Sequence, residues 1–230
     1  MNNIAIITAR GGSKRIPRKN IKEFLGKPII AYSIETALKT SLFSEVMVST
    51  DDEEIAEIAQ KYGAKVPFMR SAKNSDDYAT TRDVLCEVIS QYKTIGKNFE
   101  YVCCIYPTAP LIQPQSVIKA FNILKKSDAD MIIPIVRFSY PVQRAYKLSN
   151  NNEINFLYPK HERTRSQDLE PIFHDSGSFY WYKDIAFTKN YKPRRIGFEL
   201  SELEVQDIDT IDDWKMAELK YQVLHSADRT

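Results

Sequence analysis

The sequence predicts an α/β fold of three layers, in which helices cover both faces of a mostly parallel sheet. Strand-length apolar runs alternate with segments of helical period along most of the 230 residues, and no internal repeat interrupts that order. Such alternation is typical of parallel sheets, because each crossover between parallel strands needs a helix-length connection. A chain of this size can bury a substantial core, so we expect one domain spanning residues 1–230.

The first elements show the alternation clearly. Residues 4–8 (IAIIT) form a β-rich run, and residues 28–39 have apolar side chains three and four apart behind a proline that suits a helix start. Residues 46–50 (VMVST) predict a strand. Residues 51–62 predict a helix, with acids in its first turn and Gly63 beyond its end. Later strands are predicted at 101–106, 131–136, 177–182 and 195–200, and later helices at 114–126 and 211–224.

Residues 137–171 break this pattern. The segment has no clear helical period and is too long for an ordinary loop, so we expect it to be functional or to form small strands of its own. Three asparagines at 150–152 predict a hairpin turn. We predict a dimerisation arm here, with a mobile surface loop or an intrachain lid as alternatives, because a partner would cover apolar side chains at Phe138, Tyr140, Val142, Tyr146, Phe156 and Leu157.

Composition limits the possible classes of protein. Lys and Arg total 32 against 30 for Asp and Glu, and a net charge of +2 gives no reason to expect a nucleic-acid or membrane-surface partner. Three cysteines cannot form a disulfide framework, and Cys103 and Cys104 read as core residues. No stretch approaches the roughly 18 apolar residues of a membrane span, and no signal peptide is apparent. We therefore expect a soluble, unprocessed, cytoplasmic protein.

The loop after the first run, ARGGSKRIPRKN at residues 9–20, predicts an anion site. Gly11 and Gly12 allow a tight turn at the ligand edge of the sheet. The spacing matches neither a Walker A loop nor the Gly-x-Gly-x-x-Gly of dinucleotide folds, so side chains must hold the anion. A solvated basic turn is the alternative, disfavoured because cations so close together repel unless an anion binds. The cations are Arg10, Lys14, Arg15, Arg18 and Lys19.

Several stretches, in order along nearly the whole chain, resemble the CMP-sugar synthetases, the cytidylyltransferases that activate sialic-type nonulosonic acids and Kdo. The loop at 9–20 and the late Asp-x-Asp are specific in combination, and the others are individually weak. The remaining stretches are STDD at 49–52 with Glu54, Ile55 and Ala56, FMR at 68–70, YPTAPL at 106–111, and DIDT at 207–210 with Asp213 and Trp214.

The resemblance implies a Rossmann-like nucleotidyltransferase sheet with residues 137–171 as an inserted dimerisation and substrate arm. It also implies that a sugar hydroxyl attacks the α-phosphorus of CTP while pyrophosphate leaves. By analogy Arg10, Ser13 and Lys19 hold the triphosphate, Asn20 the ribose or phosphate, and Arg70 the cytosine. Arg10, Lys19 and Asp209 are the implied catalytic residues. The implied CTP contacts are Ala9, Arg10, Gly11, Gly12, Ser13, Lys14, Lys19, Asn20, Arg70, Pro107 and Thr108.

Asp207 and Asp209 are implied ligands of Mg²⁺. Two carboxylates separated by one residue at a strand end point the same way, and hard oxygen ligands suit this ion. Helix capping before Asp212 and Trp214 is the alternative role. The general base stays open, since a metal-bound water and an aspartate are equally compatible with the sequence.

Departures from the family pattern concern the sugar. Members for N-acetylneuraminate usually carry Ser-Lys-Gly at 13–15, Gln-Pro-Thr-Ser-Pro-Leu-Arg at 106–112 and an Asn-Gly pair near 173–177. The differences favour pseudaminic acid, a diamino, deoxy nonulosonic acid, over N-acetylneuraminate, legionaminate or Kdo. His174 has a structural role as its alternative, and Arg163 or Arg165 is expected to act across a two-fold axis. The implied substrate contacts are Tyr106, Arg163, Arg165, His174 and Asp175.

Two other classes of protein are less compatible with these residues. A nucleic-acid binder predicts a higher isoelectric point than about 8.3 and cations along one face. An inactive sugar-nucleotide binding module would have no need to keep both Arg10 and Lys19 at one end and Asp207 and Asp209 at the other.

Overall fold

A computed structural model describes residues 2–226 of the chain. The strands are β1 (Asn3–Thr8), β2 (Glu23–Phe24), β3 (Lys27–Pro28), β4 (Glu45–Ser49), β5 (Tyr101–Ile105), β6 (Met131–Arg137), β7 (Tyr146–Leu148), β8 (Ile154–Phe156), β9 (Phe173–Asp175), β10 (Phe179–Lys183) and β11 (Arg195–Glu199). The α-helices are α1 (Ile29–Lys39), α2 (Glu53–Lys61), α3 (Thr81–Thr94), α4 (Pro114–Lys126) and α5 (Ile211–Leu224).

A central seven-stranded sheet has the order β11-β6-β10-β5-β1-β4, and β9 pairs with β6. The strand β1 runs parallel to both β4 and β5, whereas β10 is antiparallel to its neighbours β5 and β6. The predicted mostly parallel sheet is therefore confirmed in a mixed form. Because β1, β4 and β5 share a direction, their carboxyl ends meet at one edge, where ligands of such sheets bind.

Helices cover both faces of this sheet. Ala5 and Ile7 of β1 pack in a core with α1, α2 and α4, while Ile4 and Ile6 pack with α3 in a second core. The same alternation puts the side chain of Cys103 in the first core and that of Cys104 in the second, and both are fully buried. The prediction that these cysteines are core residues is confirmed. Burial on both faces explains why the central strands read as continuous apolar runs.

Helix α3 is the largest element that the pattern of apolar runs did not predict. Its start is nevertheless encoded locally, because Thr80 and Asp83 form a capping box in which each side chain bonds the backbone of the other residue. Its buried residues, which include Leu85, Val88 and Tyr92, recur at helical spacing. The helix covers one face of β1 and β5 and positions one wall of the cleft described below.

The irregular segment at 137–171 contains the hairpin β7–β8, which confirms the predicted turn: Asn152 has φ 62° and donates its backbone N–H to the Ser149 carbonyl. Short 3-10 turns follow. The chain then returns to the sheet through β9, which is antiparallel to β6. The exposed fraction reaches 86% for Tyr140, 69% for Leu148 and 61% for Ile154. Within residues 2–226, no helix is long and apolar enough to cross a membrane.

Candidate active site

A cleft of about 710 Å³ lies at the carboxyl edge of β1 and β5. Of the residues proposed from the sequence, it brings together Arg10, Ser13, Lys14, Lys19, Asn20, Arg70, Tyr106, Pro107 and Thr108. Arg15, one of the loop cations, also lines the cleft, and residues that sequence reasoning did not assign to the site complete the lining: Thr8, Ile16, Asn74, Asp76, Asp77, Ala79, Thr81 and Val84. Most of these come from residues 71–84, where the missed helix α3 begins.

The glycine-rich loop is held close to the end of β4. Ala9 is buried and its N–H donates to the Ser49 carbonyl at 2.9 Å, while the N–H of Gly11 donates to Oδ1 of Asp51 at 2.9 Å. A Cβ on Gly11 would lie 2.7 Å from Oδ2 of Asp52, so any other residue there must displace the Asp52 side chain. At Gly12, apart from its chain neighbours, no atom of residues 2–226 lies within 4 Å of the corresponding position. Ala9 and Gly11 thus shape the loop, and Gly12 leaves space beside it.

These contacts lead to a stability prediction. Gly11→Ala should lower the free energy of unfolding by about 1–3 kcal/mol, because the new methyl group displaces a carboxylate that caps α2 and binds Arg18. Gly12→Ala is the matched control and should leave unfolding unchanged. Chemical denaturation monitored by circular dichroism measures both. Equal midpoints for the two variants would contradict the close packing at Gly11.

Arg18 fastens the loop rather than serving the cleft. Its guanidinium binds both carboxylate oxygens of Asp52, with Nη2 to Oδ1 at 3.1 Å, and also binds Glu54. The hydrogen bond to Asp52 raises the pKa of Arg18, and the same bond holds the pKa of Asp52 below its ordinary value. The expectation that the five cations repel one another unless an anion binds is therefore wrong: each of them has a carboxylate partner within this chain.

Asp77 is the partner of two cations that point into the cleft region. Nη1 of Arg10 donates to Oδ1 of Asp77 and to the Asp76 carbonyl, both at 2.9 Å, and Lys14 also binds Asp77. The hydrogen bonds from Lys14 and then Arg10 hold the pKa of Asp77 below its ordinary value. Asp77 is far from these cations in sequence, so no local pattern could have identified it. All three side chains are partly exposed, so the pairs can exchange for another anion.

Lys19 joins the loop to the late acidic segment. Its Nζ donates to the Ile208 carbonyl at 2.6 Å and lies 3.5 Å from Oδ1 of Asp209, and Arg15 binds Oδ2 of the same carboxylate. Loop and carboxylate are about 190 residues apart in the chain. The structure thus brings Asp209 next to the implied triphosphate loop.

Asp207 and Asp209 do not lie at a strand end, so that expectation is wrong. They lie in an irregular segment between a 3-10 turn at Glu202–Glu204 and α5, on either side of the buried Ile208. Asp207 is exposed and lines a second cavity of about 370 Å³ that also contains Arg137 and His174. Neither carboxylate caps α5, because Thr210 and Asp213 form its capping box.

The two carboxylates differ in how well they could hold Mg²⁺. No group of three or more His, Cys, Asp or Glu side chains with metal-binding geometry occurs within residues 2–226. The donor chemistry of Asp207 and Asp209 still fits Mg²⁺, which binds proteins through one or two carboxylates and takes its other oxygen ligands from phosphates and water. Asp209, beside Lys19 and Arg15, is the better placed of the two for an ion shared with a triphosphate.

Arg70 is buried with 8% of its surface exposed, at the end of β4. Its Nε donates to Oγ of Ser49 at 3.0 Å, Nη2 donates to the Ser49 carbonyl, and its backbone N–H donates to the Thr50 carbonyl at 2.8 Å. Burial lowers the pKa of Arg70, although an arginine remains charged. Each residue of the STDD stretch therefore positions another group. Ser49 and Thr50 hold Arg70, Asp51 holds Gly11, and Asp52 holds Arg18.

The residues proposed for the sugar are only partly brought together. Tyr106 lines the cleft, and its hydroxyl lies 3.1 Å from that of Thr81. Asp175 accepts hydrogen bonds from the Gly177 N–H and the Tyr180 hydroxyl, both at 2.8 Å. His174 packs its ring against Phe138 with centroids 4.6 Å apart and lies in the second cavity.

Arg163 and Arg165 lie on the arm, outside the cleft of their own chain. Both are exposed, and in the described part of the chain neither guanidinium donates a hydrogen bond. Their expected role in substrate binding thus finds no contact within one subunit.

Comparison with known proteins agrees with this geometry. The family model described as Cytidylyltransferase matches residues 4–221. The chain is 44% identical over 230 residues, 99% of each chain, to a pseudaminic acid cytidylyltransferase of Campylobacter jejuni subsp. jejuni serotype O:2. It is 32% identical, over 95% of each chain, to a CMP-N,N'-diacetyllegionaminic acid synthase of Legionella pneumophila subsp. pneumophila.

Solved structures agree on the fold. A CMP:2-keto-3-deoxy-manno-octonic acid synthetase complexed with CTP superposes with a TM-score of 0.68 at 17% identity, covering 98% of this chain and 100% of that one. A 4-diphosphocytidyl-2C-methyl-D-erythritol synthase from Anaerococcus prevotii superposes with a TM-score of 0.62 at 15% identity, covering 96% and 98%. The resemblance seen in the sequence is confirmed: the chain belongs to the cytidylyltransferase family and is a nucleotidyltransferase.

Proposed function

We propose that the protein transfers CMP from CTP to the anomeric hydroxyl of pseudaminic acid and releases pyrophosphate in a Mg²⁺-dependent reaction. One observation carries the proposal: a buried arginine and a cationic glycine-rich loop line the same cleft, in a chain that matches a pseudaminic acid cytidylyltransferase over its full length. The buried arginine can recognise the base of CTP, and the cationic loop can recognise its triphosphate.

The cytosine is assigned to Arg70. An arginine has five N–H donors, and in the described residues Ser49 accepts from two of the nitrogens that carry them. The remaining donors can meet the acceptors O2 and N3 of cytosine. Because the guanidinium is held by Ser49 before the ligand arrives, little side-chain entropy is lost on binding.

The triphosphate is assigned to Arg10, Ser13, Lys14 and Lys19. Their hydrogen bonds to phosphate would replace the bonds that Arg10 and Lys14 make to Asp77, so one set of charge-assisted contacts is exchanged for another. Asn20, which donates to the Arg10 carbonyl at 2.8 Å, holds the loop backbone while lining the cleft. The chain thus acts by orienting the α-phosphate for in-line attack.

Asp209, which lies beside Arg15 and Lys19 of the loop, would hold Mg²⁺, and Asp207 is the weaker candidate because it lines the second cavity. When bound, the ion supplies positive charge that neutralises phosphate oxygens as charge develops on the leaving pyrophosphate. Lys19, fixed by the Ile208 carbonyl, adds a permanent positive charge beside the same carboxylate. We place the enzyme in the cytoplasm, where its three free cysteines stay reduced.

The acceptor is tested by an assay that contains CTP, Mg²⁺ and one sugar acid at a time, with pyrophosphate release as the readout. We expect the highest kcat/KM with pseudaminic acid. N,N'-diacetyllegionaminic acid is the second candidate, because a legionaminic acid synthase is also similar over most of the chain. A preference for N-acetylneuraminate or Kdo would refute the assignment of the sugar. Inactivity with every acid would refute the proposed cytidylyltransferase activity.

The arm at 137–171 is proposed to form a homodimer. Support comes from apolar side chains that this chain leaves exposed along the arm: Phe138, Tyr140, Tyr146, Leu148, Ile154, Leu157 and Tyr158. A hairpin of two short strands has too little core to stay ordered alone, and a partner would cover it. In a dimer, Arg163 or Arg165 would reach the sugar carboxylate of the other subunit.

This proposal predicts a dimer in solution and a shared site. Light scattering should give twice the mass of the chain, and removal of residues 140–168 should give a monomer. Mixing inactive Arg10→Ala with inactive Arg165→Ala should restore part of the activity through mixed dimers. The matched control mixes Arg10→Ala with Lys14→Ala, which damage the same loop and should not complement. A monomeric parent would refute the arm, and a dimer without complementation would refute the shared site.

A further inference from the structure

A connected set of side chains runs from the cleft wall at Tyr106 to Asp175, which lies outside the cleft lining, where β5 and β10 are neighbours. Tyr106 follows β5 directly, and its backbone N–H donates to the Ser178 carbonyl at 2.9 Å. Its ring meets the ring of Tyr180 edge to face, with centroids 5.6 Å apart and planes at 66°. The Tyr180 hydroxyl then donates to Oδ1 of Asp175 at 2.8 Å.

Tyr180 links the two ends of this set, because it touches both neighbours and is itself buried, with 8% of its surface exposed. Asp175 is exposed at the start of the turn between β9 and β10, where the Gly177 N–H also donates to Oδ1. At the other end, the Tyr106 hydroxyl meets the Thr81 hydroxyl at the start of α3. The set therefore joins the nucleotide side of the cleft to the sheet edge that carries Asp175.

We propose that Tyr180 is a positioning residue for acceptor recognition, which rests on the proposed function. Its ring fixes the wall formed by Tyr106, and its hydroxyl fixes the direction of the Asp175 carboxylate. A carboxylate accepts hydrogen bonds only, so it suits an acceptor that presents N–H or O–H donors at that point. A diamino sugar acid has such N–H groups in addition to its single carboxylate.

The geometry also says why a hydroxyl is needed at this position. Asp175 lies on the surface, where water competes for its oxygens and leaves an unfixed carboxylate several rotamers. The Tyr180 ring is enclosed between Tyr106 and the sheet, so its hydroxyl has a fixed position. A hydrogen bond from this fixed donor holds the Asp175 carboxylate in one rotamer. Preorganisation of this kind lowers the entropy cost of binding the sugar without contributing to the binding of CTP.

Tyr180→Phe removes the hydroxyl and keeps the ring. We expect the KM for the acceptor to rise about tenfold, which corresponds to roughly 1.4 kcal/mol, while the KM for CTP stays within about twofold. The matched control is Tyr182→Phe, two residues along the same strand, whose hydroxyl makes no hydrogen bond in the described part of the chain and which lies outside the cleft.

Asp175→Ala gives an independent measurement, since the side chain is exposed and its removal opens no cavity in the core. It should reproduce the rise in acceptor KM, and adding Tyr180→Phe to it should cause little further change. An unaltered acceptor KM in Tyr180→Phe, or an equal rise in the KM for CTP, would overturn the inference. The proposed function has a separate readout, since it fails only if the parent enzyme itself releases no pyrophosphate with the acids tested.

Discussion

Arg10→Ala is expected to lower kcat by about two orders of magnitude or more, the effect of losing one preorganised contact to developing charge. Arg10 lines the cleft, and its Nη1 already binds an anion in the form of Asp77, so the side chain is oriented for phosphate oxygens before CTP arrives. Pyrophosphate release at saturating CTP and sugar measures the change. Circular dichroism should show an unchanged fold, because Lys14 still binds Asp77.

Two further variants test whether the loss of activity depends on the guanidinium of Arg10. Arg10→Lys keeps a positive charge but loses the planar fork, so it should recover part of the activity. Lys125→Ala removes an exposed cation from α4, outside the cleft, and should behave like the parent. Near-normal turnover in Arg10→Ala would remove Arg10 from the triphosphate site.

Asp209→Asn should abolish Mg²⁺-dependent activity and leave the fold intact. The variant keeps the size of the side chain but loses the negative charge that would bind the ion and that now pairs with Arg15 and Lys19. We expect a loss of at least about 100-fold, measured across a range of Mg²⁺ concentrations. Asp207→Asn should have the weaker effect, because Asp207 lines the second cavity rather than the cleft.

Asp212→Asn is the matched control for this prediction. Asp212 belongs to the same acidic stretch, but its side chain is 93% exposed and, among residues 2–226, pairs only with Lys215 one helical turn away, so parent-like activity is expected. A chelator should inactivate the parent enzyme. Full activity in the presence of the chelator would contradict a metal-dependent reaction. A large loss of activity in Asp212→Asn would mean that the negative charge of the whole segment matters, and not the position of Asp209.

The architecture, the location of the glycine-rich loop at the carboxyl edge of the sheet and the family could all be predicted from the amino-acid order. The strand β1 is buried on both faces, so apolar side chains are needed at successive positions of residues 4–8. This need leaves a continuous apolar run that can be read directly from the sequence. The hairpin at 150–152 was equally local, because asparagine accepts the positive φ that a tight turn requires. Helix α3 was also encoded locally, in the capping box at Thr80 and Asp83 and in the helical spacing of its buried residues, although the elements predicted from the sequence did not include it.

Which charges meet could be seen only once the chain was folded. Arg18 binds Asp52 and does not line the cleft, and Arg10 and Lys14 share Asp77. Asp209 pairs with Arg15 and Lys19, whereas Asp207 lines the second cavity. Each of these pairings depends on how loops return to one edge of the sheet. The antiparallel direction of β10, which brings Tyr180 beside Tyr106, arises in the same way. Short-range patterns follow backbone preferences, whereas contacts across tens of residues follow the topology, because chain connectivity and packing choose which loops become neighbours.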